Sequence, residues 1–460
     1  MRLRGRFAWV RLAFGLALAL ILTCPPPARA QGPAPLVLLK EIPVGGSPGA
    51  LAVDSAPGRN DVLFYSQGKV NFVNGDTLAL APGWLDTPSW EDPRFAYDRI
   101  HHQAYLLTTR TVWATPNDAW EELRVYTIAA RTFVTGAFSV NAPYNTDPQN
   151  LADPHYDIEG VVFKQQMSEG NHAGRLIVDN PWGGNVDIVD FNAAGSAPAR
   201  RQRRSYRAPL SGYSRKDNPG NSLALESRHQ TLPSDDLAST DILYIADVNH
   251  PQPETLYALW LAQPPAEPTV TQRGTVALND FRFTPYMVGG LALADARDLL
   301  YVATTSQSFA NGSVGQVSTA SNTLTRMVQV PGEIQEGLVV ADWQDPRKVF
   351  VCTSDLNDPL QTLTLRLVYG EAPVASLKLV EGYQRWQLRD MVYDPERSRL
   401  YITLRDRVLA IGANYPPTTT TPTPTATVTP TPGTPTATPR PTATCICPYH
   451  ARLPLVLKGS

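Results

Sequence analysis

The stretch GLALADARDLLYVA at residues 290–303 contains two short apolar runs, LALA and LLYVA, joined by a polar turn. The stretch RDMVYDPERSRLYIT at residues 389–403 repeats this pattern, with an acid after the first run and a tyrosine inside the second. Short runs rich in valine, tyrosine and leucine and separated by turn residues are typical of strand hairpins. The recurrence indicates a repeated β unit.

Seven copies of this pattern occur, and their first runs begin at Leu51, Phe95, Val161, Leu223, Leu291, Leu338 and Met391. A third apolar run follows in each copy, and an alternating fourth run closes most of them, as at Thr132–Val140, Val270–Leu278, Leu324–Val330 and Val374–Val380. Four short strands per unit describe a propeller blade. The sequence therefore predicts an all-β, seven-bladed β-propeller; a ring of six or eight blades, or two β-domains, are the alternatives.

The two ends of the repeat region predict how the ring closes. The last copy ends after its third run, at Ile411, whereas an extra run, LVLLKEIPV, precedes the first copy at Leu36–Val44. We expect this N-terminal strand to be the outer strand of the seventh blade. Such closure protects sheet edges that would otherwise pair with other chains.

The same two stretches, at residues 290–303 and 389–403, resemble the YVTN-type and NHL-type propellers and, more distantly, the gluconolactonase/regucalcin group. The Gly-His…Trp-Asp pattern of WD repeats does not occur. These families include binding modules, sensors and metal-dependent lactonases, so the resemblance implies a fold and leaves the activity open.

Composition excludes several classes of protein. Apolar residues make up 43% of the 460 residues, which is enough for a large core. The first thirty residues hold five arginines and no acid, so the remainder has 35 basic and 42 acidic residues and a net charge of −7. Because binding to phosphate backbones requires a basic surface, we expect no nucleic-acid partner.

The chain predicts four segments: a signal peptide at 1–30, the propeller at 31–415, a Thr/Pro-rich linker at 416–444, and a sorting or anchoring tail at 445–460. The signal has an arginine-rich start, the apolar run LAFGLALALIL at 12–22, and the cleavage-type sequence Ala28-Arg29-Ala30. Eleven residues rise about 16 Å as a helix, too little to span a bilayer. We therefore predict a bacterial protein, secreted or held at the cell surface, with no integral membrane span in the mature chain; a lipoprotein anchored at Cys24 is the alternative.

The linker contains 14 threonines and 9 prolines in 29 residues, which predicts an extended, semi-rigid stalk of about 90 Å. It is either O-glycosylated or a bare spacer. The ending YHARLPLVLKGS resembles a terminal motif of exported proteins from Chloroflexi-type bacteria. Cys445 and Cys447 are too close for a relaxed mutual disulfide, so pairing between chains, modification and metal binding are the options. Cys352 lies in an apolar run and is predicted to be a buried free thiol.

Candidate binding residues come just before the first runs, where the innermost strand of each blade starts at the mouth of the central channel. The charged and amide residues at these positions are Arg94, Glu159, Asn221, Glu336, Arg389 and Asp390. They predict a ligand site at the mouth. The alternative is a salt-bridged ring, in which the two arginines pair with Glu159 and Glu336 and plug the channel.

A metal site is a second possibility at the same positions. Carboxylate and amide oxygens suit Ca²⁺, and Glu159, Asn221 and Glu336 supply such oxygens. In the lactonase group, a glutamate followed by glycine opens an inner strand and binds the metal, and Glu159-Gly160 and Glu336-Gly337 match that dipeptide. The sequence thus supports a binding module for an extracellular ligand, either protein or glycan. The alternative is a Ca²⁺-dependent, lactonase-like extracellular hydrolase.

Two further features have simple structural interpretations. Acid-amide clusters follow several second runs, as at Asp179-Asn180, Asp247–His250 and Asp355–Asp358, and these residues bind cations or form ordinary turns. The basic run between Arg200 and Arg207 predicts an outer strand protected by charge, or a grip on an anionic polymer. Serine-hydrolase elbows, P-loops, Rossmann glycine patterns and HExxH motifs do not occur in the sequence.

Overall fold

The structure is a computed structural model. It describes residues 35–415 except 47, 55–60, 82–84, 87–90, 99–101, 111–119, 128–131, 134–137, 140–159, 166–171, 181–184, 207–222, 227–239, 248–254, 263–268, 279–280, 284–289, 295–298, 307–310, 343, 356 and 385–386. The predicted signal peptide, linker and tail lie outside these residues, as do Cys24, Cys445 and Cys447.

The described strands form seven separate antiparallel sheets. Blade 1 contains β2 (Leu51–Val53), β3 (Asp61–Ser66), β4 (Lys69–Asn74) and β5 (Leu85–Asp86). Blade 2 contains β6 (Glu91–Asp98), β7 (Gln103–Arg110), β8 (Trp120–Thr127), β9 (Thr132–Phe133) and β10 (Phe138–Ser139). Blade 3 contains β11 (Gly160–Gln165), β12 (His172–Asn180), β13 (Asn185–Asn192) and β14 (Pro198–Ser205).

Blades 4 to 7 complete the set. Blade 4 contains β15 (Leu223–Glu226), β16 (Thr240–Asp247), β17 (Thr255–Ala262) and β18 (Val270–Val276). Blade 5 contains β19 (Phe281–Phe283), β20 (Leu291–Ala294), β21 (Leu299–Ser306), β22 (Asn311–Ser318) and β23 (Thr323–Pro331). Blade 6 contains β24 (Glu333–Ala341), β25 (Lys348–Ser354), β26 (Leu363–Tyr369) and β27 (Ala372–Val380), and blade 7 contains β28 (Leu388–Asp394), β29 (Arg399–Leu404) and β30 (Arg407–Ala413).

The innermost strands close a ring around the channel. Each contacts the next in cyclic order, from β2 through β6, β11, β15, β20, β24 and β28 back to β2. All seven predicted first runs lie in these strands. The predicted seven-bladed, all-β propeller is therefore confirmed over the rings of six or eight blades and over two β-domains.

The N-terminal strand β1 (Leu36–Pro43) completes blade 7. It pairs antiparallel with β30, with Leu36 opposite Ala413 and Ile42 opposite Val408, and a bulge interrupts the pairing at Leu39. Leu36 and Ile42 are buried, whereas the five residues between them are exposed. The predicted closure by residues 36–44 is therefore confirmed.

One predicted fourth strand is described only in part. Within the run Thr132–Val140, β9 and β10 both pair with β8, and residues 134–137 and 140 lie outside the described residues. Cys352, in β25, is a buried free cysteine as predicted, and burial raises the pKa of its thiol.

The aromatic residue of the second run links neighbouring blades. Tyr105, Tyr244 and Tyr301 lie opposite the small residues Ala96, Ala224 and Ala292 of the innermost strand. Their rings are buried, and each hydroxyl donates a hydrogen bond to a backbone carbonyl of the next blade. The acceptors are Gly195 O for Tyr105 (3.2 Å), Thr319 O for Tyr244 (3.2 Å) and Pro346 O for Tyr301. Tyr401 donates likewise to Gly75 O in blade 1 (3.3 Å).

The acid after the first run also has a structural role. Asp54, Asp98, Asp342 and Asp394 are buried where the innermost strand ends, at the end of the channel opposite the mouth. Tyr97 donates to Asp54, Lys348 pairs with Asp342 at 3.1 Å, and Arg397 pairs with Asp394 at 2.9 Å. The contact between Tyr97 and Asp54 joins blades 2 and 1, whereas the other two pairs stabilise the first turn within blades 6 and 7.

Blade 3 contains a buried ion network. Arg175 donates to both oxygens of Asp190, at 2.5 and 3.1 Å, and to the carbonyl of Ala262 in blade 4. Arg200 also donates to Asp190 Oδ2, at 2.9 and 2.6 Å. Although burial acts to raise it, these arginines hold the pKa of Asp190 below its usual range. Arg200 belongs to β14, so most of the basic run forms the predicted outer strand.

Candidate functional site

The channel mouth is the end of the ring at which the seven innermost strands begin. The structure describes four of the six predicted mouth residues: Arg94 in β6, Glu336 in β24, and Arg389 and Asp390 in β28. Glu159 and Asn221 lie outside the described residues. These four mouth residues belong to blades 2, 6 and 7.

β-Bulges coincide with the charged mouth residues. The pairing of β6 shifts between Glu91 and Arg94, that of β24 between Ile334 and Val339, and that of β28 between Leu388 and Asp390. The described pairings of the innermost strands β2, β11, β15 and β20 contain no such shift. Since a bulge bends a strand and redirects its side chains, these three strands depart from regular geometry where their charges lie.

Asp390 joins the innermost strands of blades 7 and 1. Its Oδ2 accepts a hydrogen bond from the backbone N–H of Leu51 (2.7 Å), and its Oδ1 accepts one from the N–H of Met391 (2.7 Å). Burial raises the pKa of Asp390 to about 6, against the opposing effects of these N–H groups and of the Arg94 charge. Both carboxylate oxygens are thus engaged by the backbone.

Arg94 and Arg389 are partly buried, and each has a hydrogen-bond donor without an acceptor among the described residues. The Nε atom of each is buried and has no hydrogen-bond acceptor. Among the ion pairs of the described residues, none includes either arginine. Among the described residues, neither arginine therefore forms the ion pair with Glu336 that a salt-bridged ring requires.

Glu336 lies between blades 6 and 7. It adopts φ of 54° and precedes Gly337 at 60°, so two consecutive residues are left-handed inside the β24 bulge. The side chain is buried, and its Oε1 accepts a hydrogen bond from Tyr383 at 3.3 Å. Burial and then the charge of Glu336 raise the pKa of Tyr383.

The glycines at the mouth permit close strand packing. A Cβ on Gly290 would lie 1.6 Å from the carbonyl oxygen of Gly337 in the neighbouring innermost strand. Any side chain at residue 290 would push blades 5 and 6 apart. Residues 290 and 337 are therefore in close backbone contact across blades 5 and 6.

The proposed calcium ligands are only partly described. Of Glu159, Asn221 and Glu336, only Glu336 lies in the described chain, where groups of three metal-ligating side chains are not found. In the loop after β25, Asp355 accepts from the N–H of Asn357 (2.8 Å), and Asp358 accepts from those of Leu360 (2.9 Å) and Thr362 (3.2 Å). These carboxylates form turns, as the second interpretation of the acid-amide clusters expects.

A cleft of about 570 Å³ opens beside the mouth. Blade 7 supplies most of its lining, which consists of Gly46, Val380, Gln387, Leu404, Arg405, Asp406 and Arg407. Gln387 precedes Arg389 by two residues, so the cleft adjoins the mouth. The sequence reasoning missed Gln387 and Arg405, although Arg405 lies in the turn after a second run, the position considered in other copies.

The chain is similar to solved structures at low sequence identity. No family model and no curated protein matches the chain. Matching solved structures include "Structure of Dos1 propeller" (10% identity, TM-score 0.49, 82% of this chain and 95% of that chain) and "Structure of U3-55K" (9%, 0.46, 82% and 98%). The WD40 domain of SCAP from fission yeast also matches (9%, 0.45, 82% and 98%). The assignment as a seven-bladed β-propeller rests on the strand pairing itself.

Among the described residues, no helix is long and apolar enough to cross a membrane.

Proposed function

We propose that this protein is an exported binding module that engages an extracellular ligand at the channel mouth. One observation carries the proposal: Arg94 and Arg389 lie at bulges where their strands begin, and each has a buried Nε–H without an acceptor among the described residues. Bulges are frequent beside functional sites because they redirect side chains. The resemblance to YVTN-type and NHL-type propellers, which include binding modules, supports the same function.

The segments outside the propeller supply the proposed cellular context. Export follows from residues 1–30, the Thr/Pro-rich residues 416–444 form a stalk, and residues 445–460 hold the protein at the cell surface. If a chain lacking residues 445–460 remained on cells in the same amount as the full chain, the role of the tail in surface retention would be wrong. Release of the shortened chain into the medium is the expected result.

The hydrolase alternative has weaker support. It requires Glu336 as a calcium ligand, yet the Glu336 side chain is buried between blades and accepts a hydrogen bond from Tyr383. The binding-module proposal does not require the Glu336 side chain to leave this buried position. Turnover of lactones that needs Ca²⁺ and is lost on Glu336→Gln would favour the hydrolase over the binding module.

Binding at the mouth can be tested with charge-reversal variants. The mature chain would be screened against immobilised extracellular glycans and proteins, alongside Arg389→Glu and the control Arg347→Glu. Arg347 lies in the turn between β24 and β25, at the opposite end of the channel, and is exposed. We expect ligands captured by the wild type to be lost with Arg389→Glu and retained with Arg347→Glu. Equal capture by both variants would contradict binding at the mouth.

A further inference from the structure

The mouth contains two positive charges on opposite sides of one strand. Arg389 lies on β28 and Arg94 on β6, and β2 contacts both strands. Each guanidinium is partly buried, and each has a buried Nε–H with no acceptor. A buried donor without an acceptor is unfavourable, and buried polar groups in folded proteins are normally satisfied. Two such donors, both on arginines, lie at the same mouth.

In the part of the chain that the structure describes, the carboxylates of Asp390 and Glu336 form no ion pair with these arginines. Both oxygens of Asp390 accept backbone N–H groups, and its interaction with Arg94 is electrostatic rather than a hydrogen bond. Glu336 accepts a hydrogen bond from the Tyr383 hydroxyl at 3.3 Å. Among described residues, no carboxylate lies within ion-pair distance of either arginine.

The adjoining cleft provides room for the rest of a ligand. Its volume of about 570 Å³ is in the range of small-molecule sites. Gln387 offers an amide, the partly exposed Val380 an apolar surface, and Arg405 an exposed guanidinium at its lining. Guanidinium groups bind carboxylate, phosphate and sulfate through paired N–H donors.

We propose that Arg94 and Arg389 bind an oxyanion group of the ligand, either carboxylate, phosphate or sulfate, while the cleft holds the adjoining part. This inference rests on the proposed function for the choice of face, and it adds the chemical class of the ligand. The oxyanion accepts hydrogen bonds from the two Nε–H groups that have no acceptor among the described residues. Its negative charge also balances the two positive charges, so the mouth binds acidic ligands in preference to neutral ones.

The test uses titration calorimetry on the mature chain at constant ionic strength. Glucuronate, inorganic phosphate and sulfate represent the three oxyanions, and chloride is the reference anion. We expect at least one oxyanion to bind, and Arg94→Gln or Arg389→Gln to weaken it by about tenfold or more, the effect of losing one charge-assisted hydrogen bond. Arg347→Gln, at the opposite end of the channel, should bind as the wild type does.

Two results would overturn the inference: no oxyanion binding above that of chloride, or unchanged binding in both glutamine variants. Circular dichroism and urea midpoints would first establish that these variants are folded. Arg94→Lys and Arg389→Lys keep the charge but remove the guanidinium fork, so partial retention of affinity is expected. If the glycan and protein screen still identified a ligand dependent on the mouth while the glutamine variants bound it normally, the oxyanion site would be wrong and the binding module would stand.

Discussion

Replacement of Arg175 by alanine tests the network that joins blades 3 and 4. Arg175 is fully buried and uses its guanidinium on Asp190 in its own blade and on Ala262 O in the next. Arg175→Ala leaves the Asp190 carboxylate buried with Arg200 as its remaining cation. It also removes a donor from the Ala262 carbonyl.

The expected loss follows from these contacts. Removing one partner of a buried ion pair costs about 3–5 kcal/mol. Arg200 keeps two hydrogen bonds to Asp190, which places the ion-pair loss near the lower end of that range. The lost hydrogen bond to Ala262 adds about 1 kcal/mol. We expect a total of about 3–4 kcal/mol, a large part of the ~5–15 kcal/mol that stabilises a folded protein.

Urea denaturation followed by tryptophan fluorescence would measure this loss. The control is Arg347→Ala, which removes a surface pair with Asp345 and a cation–π contact with Tyr369, and should cost no more than about 1 kcal/mol. Because the pKa of Asp190 is lowered in the folded protein, its contribution is present above the unfolded value and lost as pH falls through the folded value. The difference between wild type and Arg175→Ala should therefore shrink in acid. A loss below about 1 kcal/mol at pH 7 would refute the role of the network.

Three other substitutions test the packing between blades and the mouth. Tyr105→Phe removes the hydrogen bond to Gly195 O and should cost about 1 kcal/mol by urea denaturation, whereas Tyr415→Phe, whose ring packs on Tyr369, should be neutral. Gly290→Ala places a Cβ against Gly337 O and should cost about 1–3 kcal/mol, whereas Gly49→Ala has room and should cost less; equal losses would contradict the close strand contact. Asp390→Asn removes a carboxyl whose pKa is raised to about 6, so wild-type stability should fall by about 2–3 kcal/mol relative to the variant between pH 4 and pH 7. Parallel pH curves for the two proteins would show that Asp390 is not destabilised by burial.

Much of the fold was predictable because each blade repeats a local pattern. Short apolar runs determine strands through nearby residues, and the missing fourth run after Ile411 pointed to β1 as its replacement. The aromatic of the second run was visible in the sequence. Its hydroxyl acceptor was not, since Gly195 O or Thr319 O becomes adjacent only when blades pack.

The site was predictable only in part. Their location just before a first run predicts that Arg94, Arg389 and Asp390 lie where the innermost strands begin. The bulges at these residues depend on how the strands pair, which single residues do not encode. Glu336 shows the same limit. Its Glu-Gly dipeptide predicts a metal ligand, and that role stays a prediction; the hydrogen bond that it accepts from Tyr383 depends on tertiary packing. The hydrogen bond from Leu51 N–H to Asp390 joins the first and the last blade, whose residues are far apart in the sequence.

Closure of the ring by β1 is the central structural claim, and hydrogen–deuterium exchange tests it directly. Ile42 is buried in β1 opposite Val408, so Ile42→Asp should detach β1 from β30. We predict faster deuterium uptake in residues 407–413 of this variant than in the wild type, with residues 185–192 of β13 remaining protected. Unchanged uptake in residues 407–413 would contradict closure of the propeller by its N-terminal strand.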